Sequence, residues 1–163
     1  MNWNLRPDQW DQLDEATAPA GTVLLQAGDV SSRMLVLVEG EIAIQAEGTV
    51  VARLREPGTI VGEMAGLLGS PRTATAVAMT DVVYRTVDDV VSLMEERPDV
   101  GMAVARTLAH RLNLVQSYLA DVRRQYADRS DQLGAVETVL AALSSAPSVD
   151  IDPGSDRERE PNI

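Results

Sequence analysis

The chain has 163 residues, a formal net charge of −11 and no Cys, so disulfides, thiolate metal sites, iron-sulfur clusters and cysteine nucleophiles are excluded. With no Phe, 3% aromatic residues and 45% hydrophobic residues, the core must be aliphatic, and the length suits one domain with an appendage. The acidic balance argues against a broad basic face for nucleic acid yet leaves room for a small anionic ligand, because charges beyond a Debye length of about 8 to 10 Å are largely screened.

The first ten residues, MNWNLRPDQW, carry no basic segment followed by an apolar run, and no stretch approaches the roughly 18 apolar residues of a membrane span. A cytoplasmic location without membrane contact is the expectation. Residues 8–16, DQWDQLDEA, follow Pro7 and set Trp10 and Leu13 three apart, which predicts a short leading helix. From Gly21 the period changes. TVLLQ, RMLVLVE, EIAIQAE and TVVARL are short runs rich in Val, Ile and Leu, separated by Ala27-Gly28-Asp29, Glu39-Gly40-Glu41 and Glu47-Gly48-Thr49 and closed by Glu56-Pro57-Gly58-Thr59. They read as strands of an antiparallel meander. Ile42, Ile44 and Ala46 alternate with Glu41, Ala43 and Gln45, which predicts one buried and one wetter face. ATAVAM and DVVYRTV add two more strands. Many short strands at spacings near ten residues predict a mainly β fold with flanking helices, an antiparallel β-roll of jelly-roll topology.

From Asp88 the pattern turns helical. DDVVSLMEE predicts a short helix ending near Pro98, with Asp88 and Asp89 at its start. Beyond it Ala105, Leu108, Leu112, Val115, Leu119, Val122, Tyr126, Arg129, Leu133, Val136, Leu140 and Leu143 follow at alternating steps of three and four, a sustained heptad. Residues 99–143 would span about 68 Å as one helix, against some 35 Å for a 100-residue domain. The stripe therefore predicts a dimerising, parallel coiled coil. The alternative is a helix that breaks near Arg129, Ser130-Asp131 and Gly134 and folds back. The organisation expected is a leading helix, roll and short helix over 1–98, the long helix over 99–143 and a disordered acidic tail over 144–163.

Chemistry concentrates between Gly62 and Ala76, GEMAGLLGSPRTATA, where a Gly-Glu pair stands nine residues ahead of Arg72. A guanidinium can give two parallel hydrogen bonds to phosphate oxygens, and a carboxylate suits a hydroxyl donor. Alone, an acid and a base at this spacing also make an ordinary surface ion pair. Flanked by strands, and taken with Gly21, Gly28-Asp29, Gly40, Gly62-Glu63, Ala65, Leu67 and Pro71-Arg72-Thr73-Ala74, the layout resembles the cyclic nucleotide-binding domain superfamily over roughly Pro19 to Leu119. It is similar to the sensor domain of cyclic-AMP receptor and FNR-type regulators, without their helix-turn-helix.

The resemblance implies a pocket in the roll where Arg72 binds the exocyclic phosphate oxygens and Glu63 accepts from the ribose 2′-hydroxyl. Gly62 would allow close backbone approach, the amides of Met64, Ala65 and Ala74 would face the anion, and Thr73 would donate to phosphate or purine. Gln116 and Tyr118 are the candidates for a purine lid, while Val115 and Leu119 belong to the seam. Cyclic AMP is favoured as ligand, with cyclic GMP close behind, and no further cofactor is implied. About twenty residues follow Leu143, too few for a helix-turn-helix, so direct DNA binding is not expected. His110, the single histidine, sits off the seam as a solvated helix residue, and no enzyme chemistry is expected. The function implied is a sensor without its own effector domain, a homodimer that relays occupancy through the long helix to an unknown effector protein. The alternatives are a dimeric assembly module whose pocket is unused or takes another anion, and a truncated regulator that pairs with a full-length relative.

Overall fold

The computed structural model describes residues 4–125 together with Thr138, Val139 and Ala141. In chain order the elements are α1 (Pro7–Trp10), β1 (Asp14–Ala18), β2 (Val23–Leu25), β3 (Met34–Glu39), β4 (Ile42–Ala46), β5 (Thr49–Leu54), β6 (Ile60–Val61), α2 (Glu63–Leu68), β7 (Thr75–Ala78), β8 (Val82–Val87), α3 (Val90–Glu96) and α4 (Pro98–Gln125). The chain divides into a unit of residues 1–110, which holds every one of these strands, and a second unit from Arg111 onward.

Two antiparallel sheets make the roll, in the orders β1-β8-β3-β6 and β2-β7-β4-β5. The expected β-roll with flanking helices is therefore observed, but it is not a meander. Of these strands only β4 and β5 are neighbours both in sequence and in a sheet. Their two-residue turn, Glu47-Gly48, has positive φ at both positions (51° and 77°), the mirror-image geometry whose twist matches that of the flanking strands.

β3 explains why its sequence does not alternate. Met34 and Val36 point to a cluster shared with Leu5, Trp10, Ile60, Val90, Val100 and Val104, on the helix side of the sheet. Leu35 and Leu37 point the other way, into the space between the sheets, with Leu25, Ile42, Val61 and Ala76. Successive strand residues face opposite sides, so a strand buried on both reads as one apolar run. In β4 the predicted alternation is not clean, since Ala43 is as fully buried as Ile42 while Ile44, Gln45 and Ala46 are half-buried.

The leading helix is shorter than expected. It ends at Trp10, and Asp14–Ala18 pair instead with β8, from Asp14 opposite Thr86 to Ala18 opposite Val82. Sheet pairing overrides the weak local preference of DEATA for helix. α1 is held by its own contacts: Trp10 Nε1 donates to the Leu5 carbonyl at 3.2 Å, the Arg85 guanidinium lies 5.8 Å from the Trp10 ring centre, and buried Gln9 donates to the Asp99 carbonyl at 3.1 Å. That last bond ties α1 to the first turn of α4.

α4 begins at Pro98, one residue before the predicted start, and its face toward the roll carries Val100, Val104 and Thr107, with Leu108 packed at the margin. Along the predicted seam Ala105 is exposed, Leu112 and Val115 are 43% and 50% exposed, and Leu119 and Val122 are half-buried. The seam positions Tyr126, Arg129, Leu133, Val136, Leu140 and Leu143, the predicted break and the predicted tail lie outside the described residues. Among the described residues no helix is long and apolar enough to cross a membrane.

Candidate ligand-binding site

The site is built where β6, too short to have been read from sequence, delivers the chain into α2. Gly62 caps that helix with φ 89° and ψ 4°, a left-handed conformation that costs glycine little. A Cβ at this position would lie 2.5 Å from Leu25 Cδ1 and 2.7 Å from Arg72 Nη1, so the absent side chain makes room for the guanidinium. Glu63 opens α2 and is 2% exposed. α2 ends at Gly69, again left-handed, whose amide donates to the Ala65 carbonyl.

Arg72 follows on the loop before β7 and is 6% exposed. Its backbone is stitched to the β2–β3 loop: the Arg72 amide donates to the Asp29 carbonyl at 3.0 Å, and the Gly28 amide donates to the Arg72 carbonyl at 2.8 Å. Its guanidinium donates to the Gly62 carbonyl (2.9 Å), the Ser31 hydroxyl (3.0 Å) and carbonyl (3.3 Å), and the Arg33 carbonyl (2.6 Å). All four acceptors are neutral. Burial lowers the Arg72 pKa from its ordinary value, while Asp29 and Glu63 raise it and Arg33 lowers it. The side chain remains a cation at neutral pH. Hydrogen bonds from a cation to an anion are roughly twice as strong as neutral ones, so an incoming anion can compete for this group.

Beside Arg72 lies a cavity of about 560 Å3, within the range of small-molecule sites. It is lined by Val23, Leu24, Leu25 and Gln26, by Asp29 and the Ser31-Ser32-Arg33 run, and by Arg72 and Asp88. The Arg33 guanidinium donates through Nε and Nη2 to Asp88 Oδ1, at 3.2 and 3.0 Å. Of the residues predicted from sequence, Arg72 alone lines this cavity. Gly62 meets Arg72 through its carbonyl, and buried Glu63 lies near enough to attract it. Ala65 is buried, Met64 is 56% exposed, Thr73 is exposed and Ala74 half-buried. In the second unit, Gln116 is half-buried and Tyr118 is 67% exposed.

Sequence reasoning missed Asp29, Ser31, Ser32, Arg33 and Asp88 as cavity residues. Gly28-Asp29 registered as a turn and as part of the family pattern, without a role in binding, and Asp88 only as helix-start charge. Asp89 fills that role alone, its carboxylate accepting from the Val91 and Ser92 amides at 3.0 and 3.3 Å. Among the described residues no cluster of His, Asp and Glu could hold a metal ion.

Comparison with known proteins bears on family and fold. The family model described as cyclic nucleotide-binding domain matches residues 15–97, just over half of the chain. The chain is 39% identical over 98 residues to the Pycsar effector protein XpPycTIR of Xanthomonas perforans, an alignment covering 58% of this chain and 32% of that protein. It is 32% identical over 122 residues to the cGMP-dependent protein kinase egl-4 of Caenorhabditis elegans, covering 72% of this chain and 15% of the kinase. The chain thus spans about a third or less of either relative. Among solved structures, the catabolite activator protein of Thermus thermophilus matches with a TM-score of 0.61 at 26% identity, over 72% of this chain and 60% of that one.

Proposed function

Because the chain belongs to the cyclic nucleotide-binding domain family, we propose that it is a cyclic nucleotide sensor in which Arg72 takes the cyclic phosphate and Glu63 the ribose 2′-hydroxyl. The observation that carries the proposal is the buried Arg72 guanidinium, a cation whose four hydrogen bonds end on neutral oxygens beside a cavity of ligand size. Cyclic AMP and cyclic GMP both match that chemistry. The amides of Met64, Ala65 and Ala74 and the Thr73 hydroxyl complete the proposed phosphate cradle, and Gln116 and Tyr118 remain the proposed purine lid.

Occupancy is relayed, in this proposal, through α4 of a homodimer to an effector protein in the cytoplasm, with no catalysis by this chain. Ligand drives the relay only to the extent that it binds one arrangement more tightly than the other. Support for the dimer comes from Leu112 and Val115, seam side chains that are 43% and 50% exposed on α4. The same surface favours a second reading, an assembly module that uses the helix and not the pocket.

Isothermal titration of protein freed of bound ligand by unfolding and refolding, with cyclic AMP and cyclic GMP in parallel, tests the sensor. Micromolar or tighter binding is expected. Arg72→Ala should then cost about 2 to 5 kcal/mol, roughly 30-fold to several thousandfold in affinity. Silence with both nucleotides, or an Arg72→Ala protein that binds within threefold of wild type, would overturn the reading.

A further inference from the structure

We propose that Arg33 is a second anion-binding residue of this site, one that exchanges its bond to Asp88 for the phosphate when ligand enters. The inference rests on the sensor reading above and adds a specificity-determining residue to it.

Three observations carry it. Arg33 and Arg72 line the same cavity, and they are linked through the chain, because Arg72 Nη2 donates to the Arg33 carbonyl at 2.6 Å. Arg72 cannot leave that carbonyl for a ligand without breaking a bond to the residue that carries the second guanidinium. Second, the two guanidiniums are near enough for Arg33 to oppose the Arg72 charge. Two like charges facing one cavity are relieved by an anion placed between them. Third, Arg33 holds Asp88 through one carboxylate oxygen, and the two side chains are 52% and 83% exposed. An ion pair so exposed contributes little to stability, and Asp88 is solvated on its own when released. Exchanging it for a phosphate that also binds Arg72 forms a shared, less solvated contact.

The other polar groups on the wall fit the same ligand class. Asp29 lines the cavity as an acceptor, which opposes a bare polyanion but suits a molecule with one anionic group and nearby hydroxyl or amino donors. A 3′,5′-cyclic nucleotide has that pattern. The Ser31 hydroxyl accepts from Arg72 Nη2 and from the Arg33 amide, which leaves its own O–H to donate to a ligand oxygen.

The test compares full-length Arg33→Ala, Arg33→Lys, Asp88→Asn and Arg72→Ala proteins, titrated with cyclic AMP, cyclic GMP and the two phosphorothioate diastereomers of cyclic AMP. Arg33→Ala should weaken both natural nucleotides about tenfold and Arg33→Lys about threefold, with thermal unfolding close to wild type because the side chain is half exposed. Asp88→Asn should tighten binding about two- to fivefold by removing the competing carboxylate. A residue that touches a phosphate oxygen also changes the preference between the diastereomers, which a purely structural role leaves alone. Arg33→Ala with wild-type affinity and wild-type diastereomer preference, alongside a crippled Arg72→Ala, would overturn the role of Arg33 and leave the sensor standing. Asp88→Asn that weakens binding as much as Arg33→Ala would overturn the exchange. Failure of the wild type to bind either nucleotide would overturn both.

Discussion

Gly62→Ala perturbs the point where the backbone, Leu25 and Arg72 meet, and its cost can be worked from the structure. The residue has φ 89°, and an L-residue in the left-handed region costs about 1 to 2 kcal/mol. The new methyl would stand 2.5 Å from Leu25 Cδ1, 2.7 Å from Arg72 Nη1 and 3.2 Å from the Arg33 carbonyl. Leu25 is buried between the sheets and has little freedom to yield, so overpacking adds about 1 to 3 kcal/mol. Together the loss is about 2 to 5 kcal/mol, a large share of the stability of a small domain. In urea unfolding, at a slope of about 2 kcal/mol per molar, the midpoint should fall by roughly 1 to 2.5 M with the slope unchanged. Nucleotide affinity should fall with it, since relief by displacing Arg72 moves the binding group. A midpoint within about 0.3 M of wild type would refute the strain argument. A fall of only about 0.5 to 1 M with lost binding would mean that Arg72 yields and the backbone cost alone remains.

Glu63→Gln should weaken nucleotides that carry a 2′-hydroxyl and hardly affect their 2′-deoxy analogues, and equal losses in titrations of both would remove Glu63 from the ribose. Asp89→Ala should destabilise α3 by removing the acceptor of the Val91 and Ser92 amides. Those bonds, from Ser92 first, hold the Asp89 carboxyl below its ordinary value, so its contribution is present above about pH 4 and is lost as pH falls through the lower folded-state pKa. The difference in unfolding midpoint between wild type and Asp89→Ala should therefore shrink in acid, and a constant difference from pH 7 to pH 2 would refute the cap. Leu119→Asp should convert a dimer to monomer if α4 forms the seam, and light scattering that still reports a dimer would remove Leu119 from it.

What the sequence disclosed depended on whether the decisive interaction was local. The strands from β2 to β5 and the pair β7 and β8 were legible because their β-branched runs lie between Gly and Asp turns. α3 was legible because Asp89 stands ahead of an apolar run. β6 was not, since two residues carry no period and exist as a strand only through Leu35 opposite Val61 and Val36 opposite Ile60. β1 was misread for the same reason, its strand character coming from β8, 64 or more positions away in sequence. Within the site, the convergence of Gly62, Glu63 and Arg72 was readable because they lie ten residues apart and share a recognisable pattern. Ser31 and Arg33 reach Arg72 across about forty positions, and Asp88 reaches Arg33 across 55. Such contacts leave no periodic trace in one sequence.

Those long-range bonds also give the proposed relay a physical route. The Ser32 carbonyl accepts from the Val90 amide at 3.1 Å, at the first residue of α3, and a Cβ on Gly66 of α2 would lie 2.6 Å from Val90 Cγ1 and 3.0 Å from the Ser32 backbone. The loop that holds Arg72 is therefore packed against both α2 and the start of α3. α3 in turn runs into α4, whose Val100 and Val104 share the buried cluster with Val90, Met34 and Trp10. If ligand draws Arg72 from the Ser31 and Arg33 carbonyls, the β2–β3 loop loses its side-chain bonds to Arg72 while its backbone bonds to Arg72 and Val90 stay in place. The packed cluster beyond it has no slack to absorb the change, because close-packed interiors move as units and not by gradual deformation. In the proposed relay, a shift at Arg72 would pass to α4 through three contacts, the Ser31–Arg33 loop, Val90 and the Val100–Val104 face. The relay needs no contact between ligand and α4.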